Sequence, residues 1–453
     1  MSEANVDVTT RYDNTAGFSV VRGVRQTNLE RLVNLIIEAK GTTFCLKVQS
    51  PLFDADEDNW EDEIPLAPEK LWGHVVACRR VWYESAVYHK EAGKLLLQEH
   101  WDFSSLPWVK EKLLPDLAVA GARLFEAIFF PDNSSTERDR YVRLRKIGER
   151  LQQLTYERSL CMRITSDSFY APWNLIYSHN LVDRVSGTDF QREGFWGYRH
   201  LVEHTPQSGG RQSEFAADWP LQVGVHVDGN IDAHLGVTTN RDVLAHLNSY
   251  APEALTLIER RLKQELSSAL AEGPRQGLKD NILYFCCHAT VEGDTAPRID
   301  ESYLALTDSD AHITTSDLRF WVGGKKFERC PIVFLNACQS AQMNSVFYQG
   351  FAALFLGLEA STVIGTQTEI PAVFAGEFAR RFFEEFFQGD QDKTVLTRQI
   401  GTILLKMRRE FLDTYNNPLG LLYSLYRGAD VHLSKAVPKT TIGTVGSKTT
   451  SKG

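Results

Sequence analysis

Short apolar runs alternate with longer amphipathic stretches along the chain. The runs at 221–227, 282–287 and 332–335 are rich in Val, Ile and Phe, which is typical of strands buried on both faces of a parallel sheet. Further strands are predicted at 42–48, 159–164, 302–306, 361–365 and 421–426. Helical periodicity predicts helices at 28–39, 68–91, 108–129, 136–153, 252–271, from about 316, 345–358, 371–387 and 394–411. The alternation indicates an α/β fold with a mostly parallel sheet flanked by helices.

Three parts of the chain lack this alternation. Residues 1–105 carry many aromatic side chains and no catalytic motif, so we expect a smaller α-rich N-terminal module; the pattern leaves its role, sensing or docking, open. The stretch 182–218 has almost no periodicity and is expected to be a long loop. Residues 434–453 are rich in Lys, Thr, Ser and Gly, which predicts a disordered tail.

Two predicted strands end in groups able to do chemistry. The run 332–335 leads to Cys338 three residues later, and the run 282–287 leads directly into His288. Because the carboxyl ends of parallel strands lie at one edge of an open α/β sheet, we expect the thiol and the imidazole at the same edge. A free thiol is only a few per cent thiolate near neutral pH and needs a neighbouring base. The pair predicts Cys338 as nucleophile and His288 as general base, then general acid.

Taken singly, each residue is better explained by packing. A lone cysteine at a strand end is most often a buried structural thiol, and a lone histidine is most often a core residue. It is the pair, on matching strand ends, that favours catalysis. Cys286 and Cys287 alternate to opposite faces of their strand, and neither is a candidate nucleophile.

The same strand ends resemble the CHAT family of caspase-like peptidases. In that family one apolar strand ends in Cys-His and a small residue, and a later strand ends in Asn-Ala-Cys. The two strand ends here read Cys287-His288-Ala289 and Leu335-Asn336-Ala337-Cys338. The Ala-Cys pair and the spacing also match the caspase signature, although Ser340 stands where that signature has Gly. The resemblance covers about 106–433 and is strongest over 281–389.

The resemblance implies a fold, an activity and a set of roles. It implies a caspase-like three-layer fold for a peptidase domain at 106–433, with its catalytic core at 218–433. The backbone N–H groups of Ala289 and Cys338 would form the oxyanion hole, and the small side chain at 289 fits because a large one would crowd the scissile carbonyl. Glu292 and Asn336 are alternative groups for orienting the histidine. The function implied is a cysteine endopeptidase that cleaves a specific protein partner.

Three residues are candidates for the substrate pocket. Gln367 and Glu369 follow the predicted strand 361–365, and Asp300 follows the histidine strand. An acidic group at the base of the pocket would favour cleavage after Arg or Lys, whereas an apolar lining would favour Leu. Family members usually have Trp-Pro and a downstream Asp where this chain has Gln-Thr-Glu-Ile-Pro at 367–371, so we expect a different pocket.

Composition limits the other classes of function. The 453 residues carry a net charge of −9, which does not favour direct binding of nucleic acid. Seven cysteines without a Cys-x-x-Cys pair predict reduced thiols in a cytoplasmic protein, and no apolar run is long enough to span a membrane. No phosphate-binding glycine motif occurs, which argues against a nucleotide switch. We expect no metal and no cofactor.

Two hypotheses of different classes remain. The first is an endopeptidase that stays quiet until a partner or a conformational change activates it. The resemblance implies a bacterial defence or programmed-death pathway, with a pore-forming or other effector protein as substrate and an upstream sensor protein as partner. The second is a catalytically silent relative that uses the same sheet as a protein-interaction scaffold. An intact Cys-His pair favours the first.

Overall fold

In the computed structural model the described residues are 29–53, 60–91, 94–95, 99–130, 141–180, 189–206, 214–215, 220–271, 278–291, 302–308, 312–327, 329–336, 345–388, 398–433 and 435–440. Most of their strands join one sheet of 11 strands. The strands are β1 (Val33–Lys40), β2 (Thr43–Gln49), β3 (Glu61–Ile64), β4 (Lys90–Glu91), β5 (Lys94–Leu95), β6 (Cys161–Thr165), β7 (Leu201–Thr205), β8 (Glu214–Phe215), β9 (Leu221–Val227), β10 (Leu255–Arg260), β11 (Ile282–Cys286), β12 (His288–Val291), β13 (Ser302–Ala305), β14 (Ile313–Thr314), β15 (Ile332–Leu335), β16 (Thr362–Thr366), β17 (Tyr423–Tyr426) and β18 (His432–Leu433).

Helices cover both faces of this sheet. They are α1 (Pro68–Trp82), α2 (Leu114–Phe129), α3 (Val142–Glu157), α4 (Trp196–Arg199), α5 (Ile231–Leu235), α6 (Thr239–Leu247), α7 (Lys263–Ala271), α8 (Thr315–Val322), α9 (Ser345–Gly357), α10 (Ala372–Phe387) and α11 (Ile400–Tyr415). The π-helical turns Tyr83–Val87 and Val109–Leu113 extend α1 and precede α2. No helix of the described residues is long and apolar enough to cross a membrane.

The sheet is mixed but mostly parallel, as predicted. Its order is β10-β9-β11-β15-β16-β17-β7-β6-β1-β2-β3. Strands β10, β9, β11, β15 and β16 run parallel to one another, and β17 is antiparallel to β16. The carboxyl ends of β9, β11, β15 and β16 therefore meet at one edge of the sheet, which is where an open α/β sheet carries its site.

Side chains of the central strands alternate between two cores. Tyr284 and Phe334 belong to the larger core, where they contact Phe383 of α10. Phe285 and Leu335 belong to the smaller core on the other face. Cys286 packs into the larger core and Cys287 into the smaller one, which confirms that they lie on opposite faces.

The predicted helix at 28–39 is wrong, because this segment contains β1. Val33, Leu35 and Ile37 are fully buried and alternate with less buried residues, which is the period of a strand. The apolar positions of the segment fit both the helical period and the strand period. The pairing of this segment with neighbouring strands decides between the two. Strand β1 pairs parallel with β6 and antiparallel with β2, so the N-terminal region shares the large sheet with the rest of the chain.

Several further strands were not predicted, among them β7 and β10 of the large sheet. Strand β7 lies inside the expected loop at 182–218; its pattern is hidden because Glu203 is buried and pairs with Arg31 at 2.9 Å and with Arg163 at 3.4 Å. Strand β10 takes the first part of the predicted helix at 252–271, and only Lys263–Ala271 is helical. At the edge of the sheet, β10 is only partly buried, so it lacks the continuous burial of a central strand.

The predicted disordered tail begins too early. Within 435–440, Val437 is buried and its N–H donates to the carbonyl of Phe387 at 2.7 Å. Thr440 N–H donates to the carbonyl of Ser249 at 2.9 Å. Residues 441–453 lie outside the described residues.

Candidate functional site

The two candidate strand ends are neighbours in the sheet. Strands β11 and β15 are parallel and adjacent, and Phe285 pairs with Leu335. Asn336 N–H then donates to the carbonyl of Phe285 at 2.9 Å, which continues the ladder one step past β15. The paired residues differ by 50 in number, and the same difference separates His288 from Cys338 (338 − 288 = 50).

The described residues include part of the predicted site. His288 and Ala289 begin β12, which leaves the large sheet and pairs antiparallel with Ala305 and Leu304 of β13. Cys338, Glu292 and Asp300 lie outside the described residues, and so do Ala337 and Ser340. The other predicted residues, Asn336, Gln367 and Glu369, follow β15 and β16 at the same edge.

Asn336 is held by a group of neutral partners that we call the asparagine clamp: Asn336, Tyr284, Tyr423 and the carbonyl of Ala375. The amide Nδ2 donates to Tyr284 Oη at 3.1 Å and to the Ala375 carbonyl at 2.9 Å. Tyr423 Oη donates to Asn336 Oδ1 at 2.6 Å. The three side chains are at most 1% exposed. The clamp fixes Asn336 against α10, so the hydrogen bonds of its amide hold the end of β15 in place. Its predicted role as an orienting group for the histidine stays a prediction.

Gln367 lies in a second polar group on the other face, which we call the arginine cluster: Arg79, Gln367, Ser424, Tyr426 and the carbonyl of Tyr170. Arg79 Nη2 donates to Gln367 Oε1 at 2.6 Å and to the Tyr170 carbonyl at 3.2 Å. Gln367 Nε2 donates to Ser424 Oγ at 2.6 Å and to Tyr426 Oη at 3.2 Å. The amide of this predicted pocket residue is thus engaged inside the protein.

The guanidinium of Arg79 is buried in this cluster among neutral groups. Arg79 is 5% exposed, and its Nε and Nη1 have no hydrogen-bond partner among the residues that the structure describes. Burial lowers the pKa of Arg79 to about 10, because the guanidinium loses its hydration. No sequence signal pointed to this residue, because its contacts join α1 to a segment 288 residues away.

Glu369 lies beside the turn that extends α1. Burial raises the pKa of Tyr83, and the nearby carboxylate of Glu369 adds a smaller increase. Together with Arg79, Tyr83 brings the end of α1 against the segment 367–370. The N-terminal region therefore contacts the segment in which the sequence placed two pocket residues.

A buried carboxylate also lies at this edge, at the end of β9. Asp228 is 1% exposed, and its N–H donates to the carbonyl of Cys286 at 3.0 Å. Its Oδ1 accepts the N–H of Asn230 at 2.9 Å. Burial, with smaller contributions from Cys286 and Asp228, raises the pKa of Cys287 well above its usual value, so this thiol stays protonated. Sequence analysis missed Asp228, since an Asp before Gly-Asn reads as an ordinary turn.

Comparison with family models relates part of the chain to the CHAT domain. Residues 238–424, which are 187 of the 453, match the model described as the CHAT domain. The matched segment contains β11, β15, β16 and the two candidate residues. The predicted resemblance to the CHAT family is confirmed. No curated protein matches the chain.

Solved structures similar to the chain are distant in sequence. The arginine-specific cysteine proteinase gingipain R is 10% identical with a TM-score of 0.36; the match covers 64% of this chain and 69% of that chain. A complex of its pro- and mature domains from Porphyromonas gingivalis is 8% identical, with a TM-score of 0.36 and coverage of 74% and 79%. Separase of Saccharomyces cerevisiae, in complex with securin, is 10% identical with a TM-score of 0.41, covering 87% of this chain and 30% of that chain. In a second separase–securin structure the chain spans 22% of the separase chain.

Proposed function

We propose that the protein is a cysteine endopeptidase in which Cys338 and His288 form a catalytic dyad. The observation that carries the proposal is the register of β11 and β15. These strands are adjacent and parallel, and their paired residues differ by 50, as the two candidates do. The match of residues 238–424 to the CHAT domain supports the same assignment.

In the proposed reaction His288 takes the thiol proton of Cys338 as the sulfur attacks the scissile carbonyl carbon. The carbonyl oxygen becomes an oxyanion, which accepts hydrogen bonds from the backbone N–H groups of Ala289 and Cys338. The C–N bond then breaks, and the leaving amine takes the proton from His288. Water, deprotonated by His288, hydrolyses the thioester and restores the thiol.

The substrate and the setting belong to the same proposal. The substrate is a specific protein partner, and an upstream sensor protein or a conformational change releases the activity. The CHAT resemblance supports a bacterial defence or programmed-death pathway in the cytoplasm, with a pore-forming or other effector protein as the substrate.

Labelling with chloromethyl-ketone peptides bearing Arg, Lys, Leu or Asp at the cleavage position tests the dyad. We expect mass mapping to find the adduct on Cys338, and we expect His288→Ala to lose it. Cys330→Ala is the control, since this half-buried thiol has a pKa raised by burial and by Glu359. Cleavage of the natural partner that survives Cys338→Ala would overturn the proposal. No adduct, even with the partner present, would identify a non-catalytic scaffold instead.

A further inference from the structure

We infer that Tyr423 is a positioning residue for the nucleophile strand, acting with Tyr284 through the amide of Asn336. The inference rests on the proposed function, because it concerns the strand end two residues before Cys338. Tyr423 belongs to no motif that the sequence analysis singled out, and it begins β17, directly after the 3₁₀ helix Pro418–Leu422, rather than lying on a strand of the dyad.

The hydrogen bonds of the asparagine clamp permit one orientation of the Asn336 amide. Oδ1 accepts from the Tyr423 hydroxyl at 2.6 Å, and Nδ2 donates both to the Tyr284 hydroxyl at 3.1 Å and to the Ala375 carbonyl at 2.9 Å. Turning the amide by half a rotation would set Oδ1 against the Ala375 carbonyl, which is an acceptor only. In a site without water access, that mismatch is costly. The clamp therefore selects a single position for this residue.

The clamp also joins the two strands of the proposed dyad. Tyr284 lies on β11, four residues before His288, and Asn336 lies two residues before Cys338. The backbone bond from Asn336 N–H to the Phe285 carbonyl ties the same two strands at 2.9 Å. One backbone hydrogen bond and one side-chain hydrogen bond therefore fix the register of Asn336 against β11. Proton transfer between a thiol and an imidazole depends on such registration, because a displacement of about 1 Å can cost a factor of about 100 in rate.

Tyr423 is itself held from three directions. Its ring stacks on Phe378 of α10, with centroids 3.7 Å apart and planes 2° from parallel. Its carbonyl accepts from Arg408 Nη2 of α11 at 2.7 Å and from Asn174 Nδ2 at 2.7 Å. Asn174 lies in the turn Trp173–Leu175, upstream of the segment that matches the CHAT domain. Two helices and an upstream turn thus hold Tyr423 in place, and its hydroxyl in turn holds Asn336 at the end of β15.

The test compares Tyr423→Phe and Tyr284→Phe with the control Tyr177→Phe. Each change removes one hydroxyl from a fully buried ring; Tyr177 Oη accepts from Gln191 N–H at 3.1 Å and is not part of the asparagine clamp. We expect Tyr423→Phe to lower kcat by about 10- to 100-fold with KM nearly unchanged, and to slow alkylation of Cys338 across its pH profile. Tyr177→Phe should lose similar thermal stability and keep the wild-type rates.

The inference is overturned if Tyr423→Phe loses as much stability as Tyr177→Phe but keeps the wild-type kcat and alkylation profile. Tyr423 would then have a structural role only. The proposed function fails separately, if the wild-type protein shows no reactivity that depends on Cys338. In that case hydrogen exchange at the amides of Leu335 and Asn336 decides about the clamp: Tyr423→Phe should speed it and Tyr177→Phe should not. Equal exchange in both variants would overturn the clamp as well.

Discussion

The asparagine clamp and the arginine cluster lie on opposite faces of the same sheet edge, and they bury polar groups in different ways. The clamp is neutral, and its amide donates two and accepts one hydrogen bond over 2.6 to 3.1 Å. The arginine cluster holds a guanidinium whose Nη2 donates to two neutral oxygens, and Nε and Nη1 of Arg79 have no hydrogen-bond partner in the described part of the chain.

The two polar groups therefore differ in how much stability each contributes to its face of the sheet edge. Neutral amides and hydroxyls are desolvated at a cost that good hydrogen bonds offset, so a satisfied neutral group stabilises one geometry. A buried charge costs several kcal/mol unless an opposite charge compensates it. We therefore expect the face of the clamp to be rigid and the face of the arginine cluster to contribute little net stability.

The largest effect is expected for Asn336→Leu. Leucine has a similar size, but it leaves the hydroxyls of Tyr284 and Tyr423 and the carbonyl of Ala375 without this partner. Unmet buried groups cost about 1 to 3 kcal/mol each, so the free energy of unfolding should fall by about 4 kcal/mol. Urea unfolding followed by circular dichroism measures it. A loss below about 1 kcal/mol would show that the clamp is no firmer than the arginine cluster.

Acid should also weaken the face of the arginine cluster. His204 stacks on Tyr170 at 4.5 Å, and burial lowers the pKa of His204 to about 4. The unfolded chain binds this proton near pH 6.5, so the stabilisation is complete above pH 6.5 and is lost as the pH falls towards 4. The loss amounts to about 3 kcal/mol for a shift of about 2.5 pKa units.

Urea midpoints between pH 7 and 4.5 measure this effect, with His204→Gln as the comparison. Glutamine keeps a donor for the Ser166 carbonyl, which lies 3.0 Å from His204 Nε2, but it cannot take a proton. The variant should have a flatter profile than the wild type. Four other histidines, His179, His200, His226 and His246, also have pKa values lowered by burial and contribute to the remaining slope. Identical slopes would contradict the assignment to His204.

The smallest effect is expected for Arg79→Met. Methionine fills much of the same space, removes the buried charge and takes a donor from Gln367 and from the Tyr170 carbonyl. These contributions oppose each other, and the free energy of unfolding should change by less than about 1 kcal/mol. Chemical denaturation at pH 7 beside Asn336→Leu gives the comparison directly. A loss above about 3 kcal/mol would mean that the guanidinium is a main support of the segment 367–370.

Much of the central fold was predictable because its strands are buried on both faces. Strands β11 and β15 are continuous apolar runs, and β9 and β16 are buried at nearly every position. The strands that were not predicted have sequence patterns that do not distinguish a strand from a helix or a loop. Strand β1 has apolar positions that fit two periods, and β10 is a half-exposed edge strand.

The site divides in the same way. The strand ends that carry His288 and Cys338 could be read along the chain, because a polar residue after a buried strand is a local feature. Arg79, Asp228 and Tyr423 could not. Each of them acquires its surroundings only when distant elements pack together, and no local motif marks any of them as part of the site.

The sequence by itself determined the class of fold, the central strands and the pair of strand ends, since burial on both faces and the change from apolar to polar residues are local properties of the chain. Only the tertiary structure decided the order and register of the strands, which brings the Phe285–Leu335 ladder to the candidate edge. It also decided the partners of Asn336 and Gln367, 87 residues away at Tyr423 and 288 residues away at Arg79. Those contacts depend on packing between helices and strands, which no local pattern encodes.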